Sequence, residues 1–416
     1  MSDTYLKFRN EVMAGGASDV PGEEETAGGA QAWLSLAVIV ALLVLLGWKS
    51  TWWLVLVVGL LVCIFLHELG HFVTARLTGM KVTQFFIFMG PKLFSFRRGE
   101  TEYGLRMFPV GAFVRIIGMN NLDPVDPEDE PRAYRSKSYP RRMLVITAGS
   151  IMHMLIAMVL LFSVYAFKGE QVATDQVRIV STVSGYPAAD AGLEAGDVIV
   201  SVDGQTPTTA AQMTDLIRTH QPGDVATIVV ERDGQELTMQ VTLGTNPDGG
   251  QAFLGVSSGN VVEWQPMSVV DAVSHSVTNL GSSMWASVGG VIKVLNPVNI
   301  WNHVTGADND PTTQPTTVIG ITRISNTIGD ESGFAGVMLL LAGVNVFIGL
   351  LNMFPLLPFD GGHAAIATYE RIRSRPGKPP YRADVGKMIP VTMAVMTLLV
   401  FLLAAGVYLD IAKPIR

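Results

Sequence analysis

The chain has 416 residues, of which 49% are hydrophobic and only 16% are charged. A soluble domain carries about a quarter of charged residues, so this composition predicts a membrane protein. The formal net charge of −7 disfavours general nucleic-acid binding, and the single cysteine, Cys63, excludes an intrachain disulfide framework and a cysteine-based zinc site.

The first apolar stretch follows a polar amino-terminal segment. Residues 1–31 are polar, glycine-rich and partly acidic, and they lack the pattern of a signal peptide. This segment is predicted to be a disordered cytoplasmic tail. Residues 32–48 have the length and composition of a transmembrane helix.

The second apolar stretch, residues 52–76, contains the pentapeptide His67-Glu68-Leu69-Gly70-His71. H-E-x-x-H on a helix places two imidazoles on one face with a carboxylate beside them, which is the geometry of a zinc site with its own general base. Ionisable groups are costly in lipid and mark functional positions there. The motif also arises by chance on buried helices, so a second motif is needed to support this interpretation.

Residues 77–142 are predicted to form a cytoplasmic, membrane-associated β-loop region. Four β-rich stretches, separated by glycines, cover residues 82–88, 92–96, 101–107 and 112–117. A sheet this apolar would offer an edge to an unwound substrate helix, with Gly111 and Phe113 as substrate-binding residues. The alternative is a packing platform on the cytoplasmic face.

A small α/β module is predicted at residues 172–258, after a third transmembrane helix at 143–167. Its strands and helices include a hairpin around Asp233-Gly234, a strong turn dipeptide. The stretch from Ser184 to Asp197 resembles a PDZ domain of the circularly permuted bacterial kind. That resemblance implies a peptide-binding loop made of Phe253, Leu254, Gly255 and Val256. A PDZ fold that acts only as a steric plug is the alternative.

Residues 259–333 are predicted to be an amphipathic connector. The stretch from Met267 to Leu295 mixes apolar and polar residues at helical spacing. It would lie on the outer membrane surface or cap the PDZ-like module.

The fourth and fifth transmembrane helices are predicted at 334–363 and 388–409. In the fourth, Pro355 and Pro358 break the helix and the Gly361-Gly362 pair permits a sharp turn. A broken helix at membrane depth lines a protected or watery site.

A catalytic zinc site needs a third protein ligand. The membrane-embedded candidates are His153, Asp360 and His363. Asp360 is favoured because it follows the predicted break, and because its helix and the helix of His67 reach the same face of the membrane.

The distribution of charge orients the predicted helices. The net charge is +5 for residues 76–142, −8 for 168–260 and +4 for 370–387. Positive loops stay in the cytoplasm, so the α/β module is predicted outside and the active site near the cytoplasmic side of the plasma membrane.

The paired motifs resemble the site-2 protease family of intramembrane zinc proteases. The matching residues are His67-Glu68-x-x-His71, Asn352-x-x-Pro355 and Phe359-Asp360-Gly361, while Thr101–Gly104 and Gly111–Val114 are similar to the β-loop of its actinobacterial branch. The resemblance implies a polytopic α-helical membrane protein with a membrane-associated β-loop region and an inserted extracytoplasmic PDZ-like α/β domain.

The resemblance also implies an activity, a cofactor and a partner. His67, His71 and Asp360 would be the ligands of Zn²⁺, Glu68 the base that activates water, and Asn352 a residue that holds the substrate or stabilises the oxyanion. The substrate would be a membrane-anchored protein, often an anti-sigma factor that another protease has already trimmed outside.

Three features depart from the family pattern. Phe359 replaces a usual leucine, His153 stands where an asparagine is common, and the helix at 32–48 is additional. His153 would support the ligands, gate the site or be hydrogen-bonded in the helix bundle, and a non-ligand role is favoured; His363 is expected in a loop. The rival functions are a scaffold with an idle metal site and a metal-dependent transporter, and the chain has no internal repeat of the kind a transporter predicts.

Overall fold

The computed structural model describes residues 29–183, 185–246, 249–294, 296–305, 314, 316–375 and 377–412. It divides into two compact units, one made of the chain up to Val164 together with Val270 onward, and one from Tyr165 to Val269. We call these the helical unit and the 165–269 unit. Most of the predicted tail, residues 1–28, lies outside the described part, but residues 29–31, assigned to that tail, belong to the first helix.

In its described residues, the helical unit contains five helices long and apolar enough to cross a bilayer. They are α1 (Gly29–Lys49), α2 (Thr51–Leu77), α3 (Tyr139–Phe167), α8 (Val318–Asn352) and α10 (Ile389–Ala412). Among the described residues, the number of these helices agrees with the five predicted spans. Ser50 separates α1 from α2, because its hydroxyl accepts the free N–H groups of Trp52 and Trp53.

Helix α8 begins much earlier than predicted, at Val318 rather than residue 334, with a kink at Gly333. The sequence prediction includes its first half in the connector, and this half carries polar residues. In the structure these residues have partners: Asn326 accepts from Ser50, and Asp330 accepts from the Trp52 indole. The polar half of the helix is therefore compatible with a packed bundle.

Helix α8 also ends earlier than predicted. It stops at Asn352, residues 353–359 are irregular, and a separate helix, α9 (Asp360–Arg373), begins at Asp360. The two prolines lie inside this break. Two 3₁₀ turns precede α3, and a third, Val385–Met388, leads into α10.

The segment between α2 and α3 forms a long bent hairpin, β1 (Val82–Arg98) and β2 (Thr101–Ile116). The first half of β1 lies between the two halves of β2, so that Phe86 is paired with Gly104 on one side and with Phe113 on the other. The four predicted stretches are thus parts of two strands, and residues 112–116 are an outer segment of this sheet.

In its described residues, the 165–269 unit is built on a sheet of five strands: β3 (Glu170–Thr182), β4 (Val198–Val202), β5 (Val225–Arg232), β6 (Gln235–Thr242) and β9 (Val256–Gln265). Their order in the sheet is β6-β5-β4-β3-β9. A small pair, β7 (Gly244–Thr245) and β8 (Ala252–Phe253), and two helices, α4 (Pro187–Asp190) and α5 (Ala210–Arg218), complete it.

This unit extends beyond the predicted end at residue 258. Strand β9 continues to Gln265, which pairs with Glu170, so the first residues of the predicted connector belong to the sheet. Helix α6 (Val269–Val294) begins at the last residue of this unit, and the rest of it and α7 (Pro297–Thr305) belong to the helical unit. Helix α6 exposes apolar side chains, including Val270 and Trp285. Residues 295, 306–313 and 315 of the predicted connector lie outside the described residues, as does Ser184 of the PDZ-like motif.

Candidate metal centre and active site

Three side chains from two elements meet at one point of the helical unit. His67 and His71 lie one turn apart on α2, and Asp360 is the first residue of α9. The two imidazole Nε2 atoms are 3.2 Å apart, and the Asp360 Oδ2 atom lies 3.5 Å from His67 Nε2 and 3.2 Å from His71 Nε2. Among the described residues, these three form a group that could hold a metal ion.

The spacing of these three atoms fits zinc. Ligand atoms about 2.0–2.1 Å from a tetrahedral zinc ion lie about 3.3 Å from each other, close to the separations observed. The buried Asp360 Oδ2 has no hydrogen-bond donor in the described part of the chain. Lone pairs that face one another at these distances repel, and a bound cation would relieve that repulsion.

The tautomer of His71 is set by its second nitrogen. His71 Nδ1 donates to the Val145 carbonyl of α3, at 2.7 Å, which leaves the Nε2 lone pair directed at Asp360 and His67. Such a hydrogen bond orients a ligating imidazole and fixes which nitrogen can bind metal.

Glycine 149 of α3 lets the two helices come together at this point. A Cβ atom at Gly149 would lie 2.3 Å from His67 Cε1 and 2.4 Å from His71 Nε2. The position therefore requires glycine. The role of Gly149 cannot be predicted from the sequence, since nothing local distinguishes it from other helical glycines.

The Gly149→Ala variant is therefore expected to lose its metal site, because the methyl group would displace both imidazoles. Gly343→Ala is the matched control, since Gly343 lies on the apolar helix α8 with open space at its Cβ position. Metal content of the purified chains measures the effect. Full metal binding by Gly149→Ala would show that the imidazoles do not depend on this contact.

The break between α8 and α9 places Asp360. A Cβ atom at Gly361 would lie 2.2 Å from the Met353 carbonyl oxygen, and one at Gly362 would lie 2.5 Å from the Leu357 nitrogen. Both glycines therefore allow the start of α9 to pack against the irregular segment. Asn352 is the last residue of α8 and is partly buried at the start of this segment.

Glu68 lies beside the three-residue group without belonging to it. Its Oε1 atom is 4.0 Å from His67 Nε2, and its carboxylate accepts the backbone N–H of Val114 on β2. The outer segment of β2 thus lies next to the carboxylate predicted to be the base.

Of the other two ligand candidates, His153 contacts the site but is not part of the group. Its ring lies 4.9 Å from that of His67, and its Nδ1 donates to Asn345 Oδ1 at 2.7 Å. Asn345 in turn donates to Cys63 Sγ and to the Leu341 carbonyl. His153 is therefore hydrogen-bonded within the bundle. Single polar residues on apolar helices indicate that a buried hydrogen-bond network exists. The sequence does not show which of these residues pair with each other.

His363 is in helix α9, not in the loop where it was expected, because the helix begins three residues before it. It belongs to the wall of a small cavity shared with Arg142 and Glu370. Among the described residues it is not a member of the metal-binding group.

The predicted substrate-binding residues of the β-loop have different environments. Gly111 adopts a positive φ of 73° at a bend in β2. The Phe113 side chain is 3% exposed and is stacked on Phe86, so it packs the sheet and cannot contact a substrate through its ring. Only its backbone remains suitable for that role.

The loop predicted to bind peptide joins β8 to β9. Phe253 contacts Tyr186, Leu254 is buried, and Gly255 has a φ of 84°. The Leu254 and Gly255 carbonyls accept from Ala188 and Val183. Val256 begins β9, an outer strand of the sheet in the described part of this unit.

Comparison with known proteins identifies the family. The model of Peptidase family M50 matches residues 55–400. The chain is 32% identical over 403 residues to zinc metalloprotease Rip1 of Mycobacterium tuberculosis, covering 86% of this chain and 96% of the relative. This chain belongs to peptidase family M50, the site-2 protease family. It is a zinc metalloprotease and a multi-pass membrane protein.

Further similarities are found both over most of the chain and within a single domain. The protease is 30% identical to zinc metalloprotease Rip1 of Mycolicibacterium smegmatis, covering 86% of this chain and 96% of the relative. It is 30% identical to a putative zinc metalloprotease of a Nostoc species, covering 85% of this chain and 93% of the relative. A solved PDZ domain of an SdrC-like protein from Listeria monocytogenes is 26% identical, covers 21% of this chain and 90% of that chain, and has a TM-score of 0.20.

Proposed function

We propose that this protease cuts a membrane-anchored protein within or near its transmembrane helix, with His67, His71 and Asp360 as the zinc ligands. The observation that carries the proposal is that three ligand atoms converge beside Glu68, which lies on the apolar helix α2. When bound, zinc supplies a Lewis acid for the peptide carbonyl and lowers the pKa of water held at the open position.

Glu68 is the proposed general base. Its carboxylate lies beside the ligand group and takes a proton from the attacking water, then delivers a proton to the leaving amine nitrogen. The Val114 N–H donates to this carboxylate and holds it in place. Asn352, at the end of α8, is proposed to donate its amide to the carbonyl oxygen as negative charge develops there.

The outer segment of β2 is the proposed docking edge for the unwound substrate. Residues 112–116 pair with the first half of β1 on one side, and the Val114 amide lies next to Glu68. A substrate strand added along this edge through backbone hydrogen bonds would bring its peptide carbonyl towards the site. Gly111 and the backbone of Phe113 would take part in that contact.

The 165–269 unit is proposed to be an extracytoplasmic PDZ-like domain that selects substrates trimmed by another protease. Strand β9 offers an outer edge, and α5 contacts it through a hydrogen bond from the Ala210 N–H to Asn260 Oδ1. An extended peptide would add along β9, with its end at the loop Phe253–Val256. An anti-sigma factor is the proposed substrate class, and the active site is proposed near the cytoplasmic side.

Metal removal tests the proposal in detergent or in vesicles. Treatment of the purified protease with a zinc chelator is expected to reduce cleavage of a membrane-anchored test substrate to background, and added zinc, but not magnesium, should restore it. Mass spectrometry of the products should locate the cut within or next to the transmembrane helix. Cleavage by zinc-free protein, or a cut confined to a soluble region of the substrate, would contradict the proposal.

A further inference from the structure

A cleft of about 1070 Å³ opens on the helical unit beside the amino-terminal end of α3. Its walls come from residues 136–140 and 142, the last turns of α9, and residues 374, 375, 377, 378 and 380–382. Six basic side chains line it: Lys137, Arg142, Arg371, Arg375, Lys378 and Arg382. We call it the cationic cleft.

The acidic side chain in the cleft wall, Glu370, pairs with only two of these cations. It is buried, and its Oε2 atom lies 2.7 Å from Arg142 and 3.8 Å from Arg382, while its Oε1 atom accepts the Ala383 N–H at 2.8 Å. In the described part of the chain, Lys137, Arg371, Arg375 and Lys378 make no ion pair with a carboxylate. Burial and the neighbouring cations Arg141 and Arg132 lower the pKa of the Lys137 ammonium. The cleft therefore holds excess positive charge.

The position of the cleft identifies the layer of the membrane it faces. Two candidate spans begin beside it, one at Tyr139 and the other at Val385. The ends of spanning helices lie in the headgroup layer of a bilayer. The start of a 29-residue helix also contributes the positive end of its dipole and free backbone N–H groups.

We propose that the cationic cleft binds the phosphate of an anionic phospholipid headgroup. Basic pockets between transmembrane helices recognise such headgroups through several cations at once. A lipid fits the position better than a soluble anion does, since its acyl chains would continue along the apolar surfaces of α3 and α10. This site is separate from peptide hydrolysis.

Occupancy of the cleft would link two helices that build the active site. Helix α3 carries Arg142 in the cleft and Val145 and Gly149 at the metal centre. Helix α9 carries Glu370 in the cleft and Asp360 at the metal centre. A headgroup held by cations of both helices would stabilise their contact, and so anionic lipid should stabilise the folded protease.

The test compares two double variants of the full chain in detergent. Arg375→Gln/Lys378→Gln removes two exposed cations of the cleft, and Arg97→Gln/Arg98→Gln removes two exposed cations at the end of β1. Binding of short-chain phosphatidylglycerol, phosphatidylcholine and inorganic phosphate is measured by native mass spectrometry. The thermal unfolding temperature with each ligand is recorded in parallel.

The proposal predicts that phosphatidylglycerol binds more tightly than phosphatidylcholine and raises the unfolding temperature. The cleft variant should lose about 25-fold in affinity for phosphatidylglycerol, from about five-fold for each of two cations, while the control variant keeps its affinity. Equal binding of both lipids, or equal losses in both variants, would overturn the proposal. If inorganic phosphate binds as tightly as the lipid, the cleft is a site for a soluble anion instead. If an acidic peptide displaces bound lipid, the cleft is a protein-binding site instead.

Discussion

Replacement of Glu68 by Gln should stop cleavage while zinc stays bound. The amide keeps the shape of the carboxylate but cannot take a proton from water, and loss of a general base typically costs about 10²–10⁴-fold in rate. Zinc should remain because Glu68 is not among the three converging atoms; its Oε1 lies 4.0 Å from His67 Nε2. Initial cleavage rates and zinc content of the same preparation measure the two effects separately.

Glu128→Gln is the matched control, since Glu128 is an exposed glutamate outside the site. It should have the cleavage rate and zinc content of the wild type. If Glu68→Gln cleaves normally, the base is elsewhere. If it loses zinc, Glu68 is a ligand and the division of roles proposed for α2 is wrong.

Replacement of Asp360 by Ala should remove zinc itself, and cleavage with it. Asp360 Oδ2 faces both imidazole nitrogens, and two histidines alone do not complete the usual three-ligand set. Supporting residues of metal sites are worth about 10–100-fold in affinity, so loss of a direct ligand should weaken zinc binding by at least about 100-fold. Dialysis against zinc buffers, followed by metal analysis, gives the affinity.

His363→Ala provides the control on the same helix. His363 lies one turn after Asp360 on α9 and was a ligand candidate from the sequence, but the structure leaves it out of the group. This variant should keep zinc. Zinc retained by Asp360→Ala and lost by His363→Ala would reverse the proposed ligand assignment.

The parts of the site that sequence reasoning could predict are local. The spacing of His67 and His71 places both on one face of a helix, since four residues make about one turn. Pro355 and Pro358 predict a break before Asp360, and α8 and α9 are in fact separate helices. Hydropathy likewise gives five spans because length and composition suffice for that purpose.

The parts that could not be predicted depend on contacts between remote segments. The role of Gly149 arises from the approach of α3 to α2, and the pairing of His153 with Asn345 joins residues of two different helices. The early start of α8 also depends on remote contacts, since Asp330 in its first half accepts a hydrogen bond from Trp52 of α2. The burial of Phe113 could not be predicted because the sequence does not show that Phe86 of β1 lies opposite it and that the two rings stack.

Zinc-edge X-ray absorption of the purified wild-type protease tests the central claim most directly. We predict one zinc per chain with two imidazole nitrogens at about 2.0–2.1 Å and oxygen ligands at about 2.0–2.2 Å. A chain that binds no zinc would contradict the account. So would a sulfur ligand near about 2.3 Å, which would have to come from the single cysteine, Cys63.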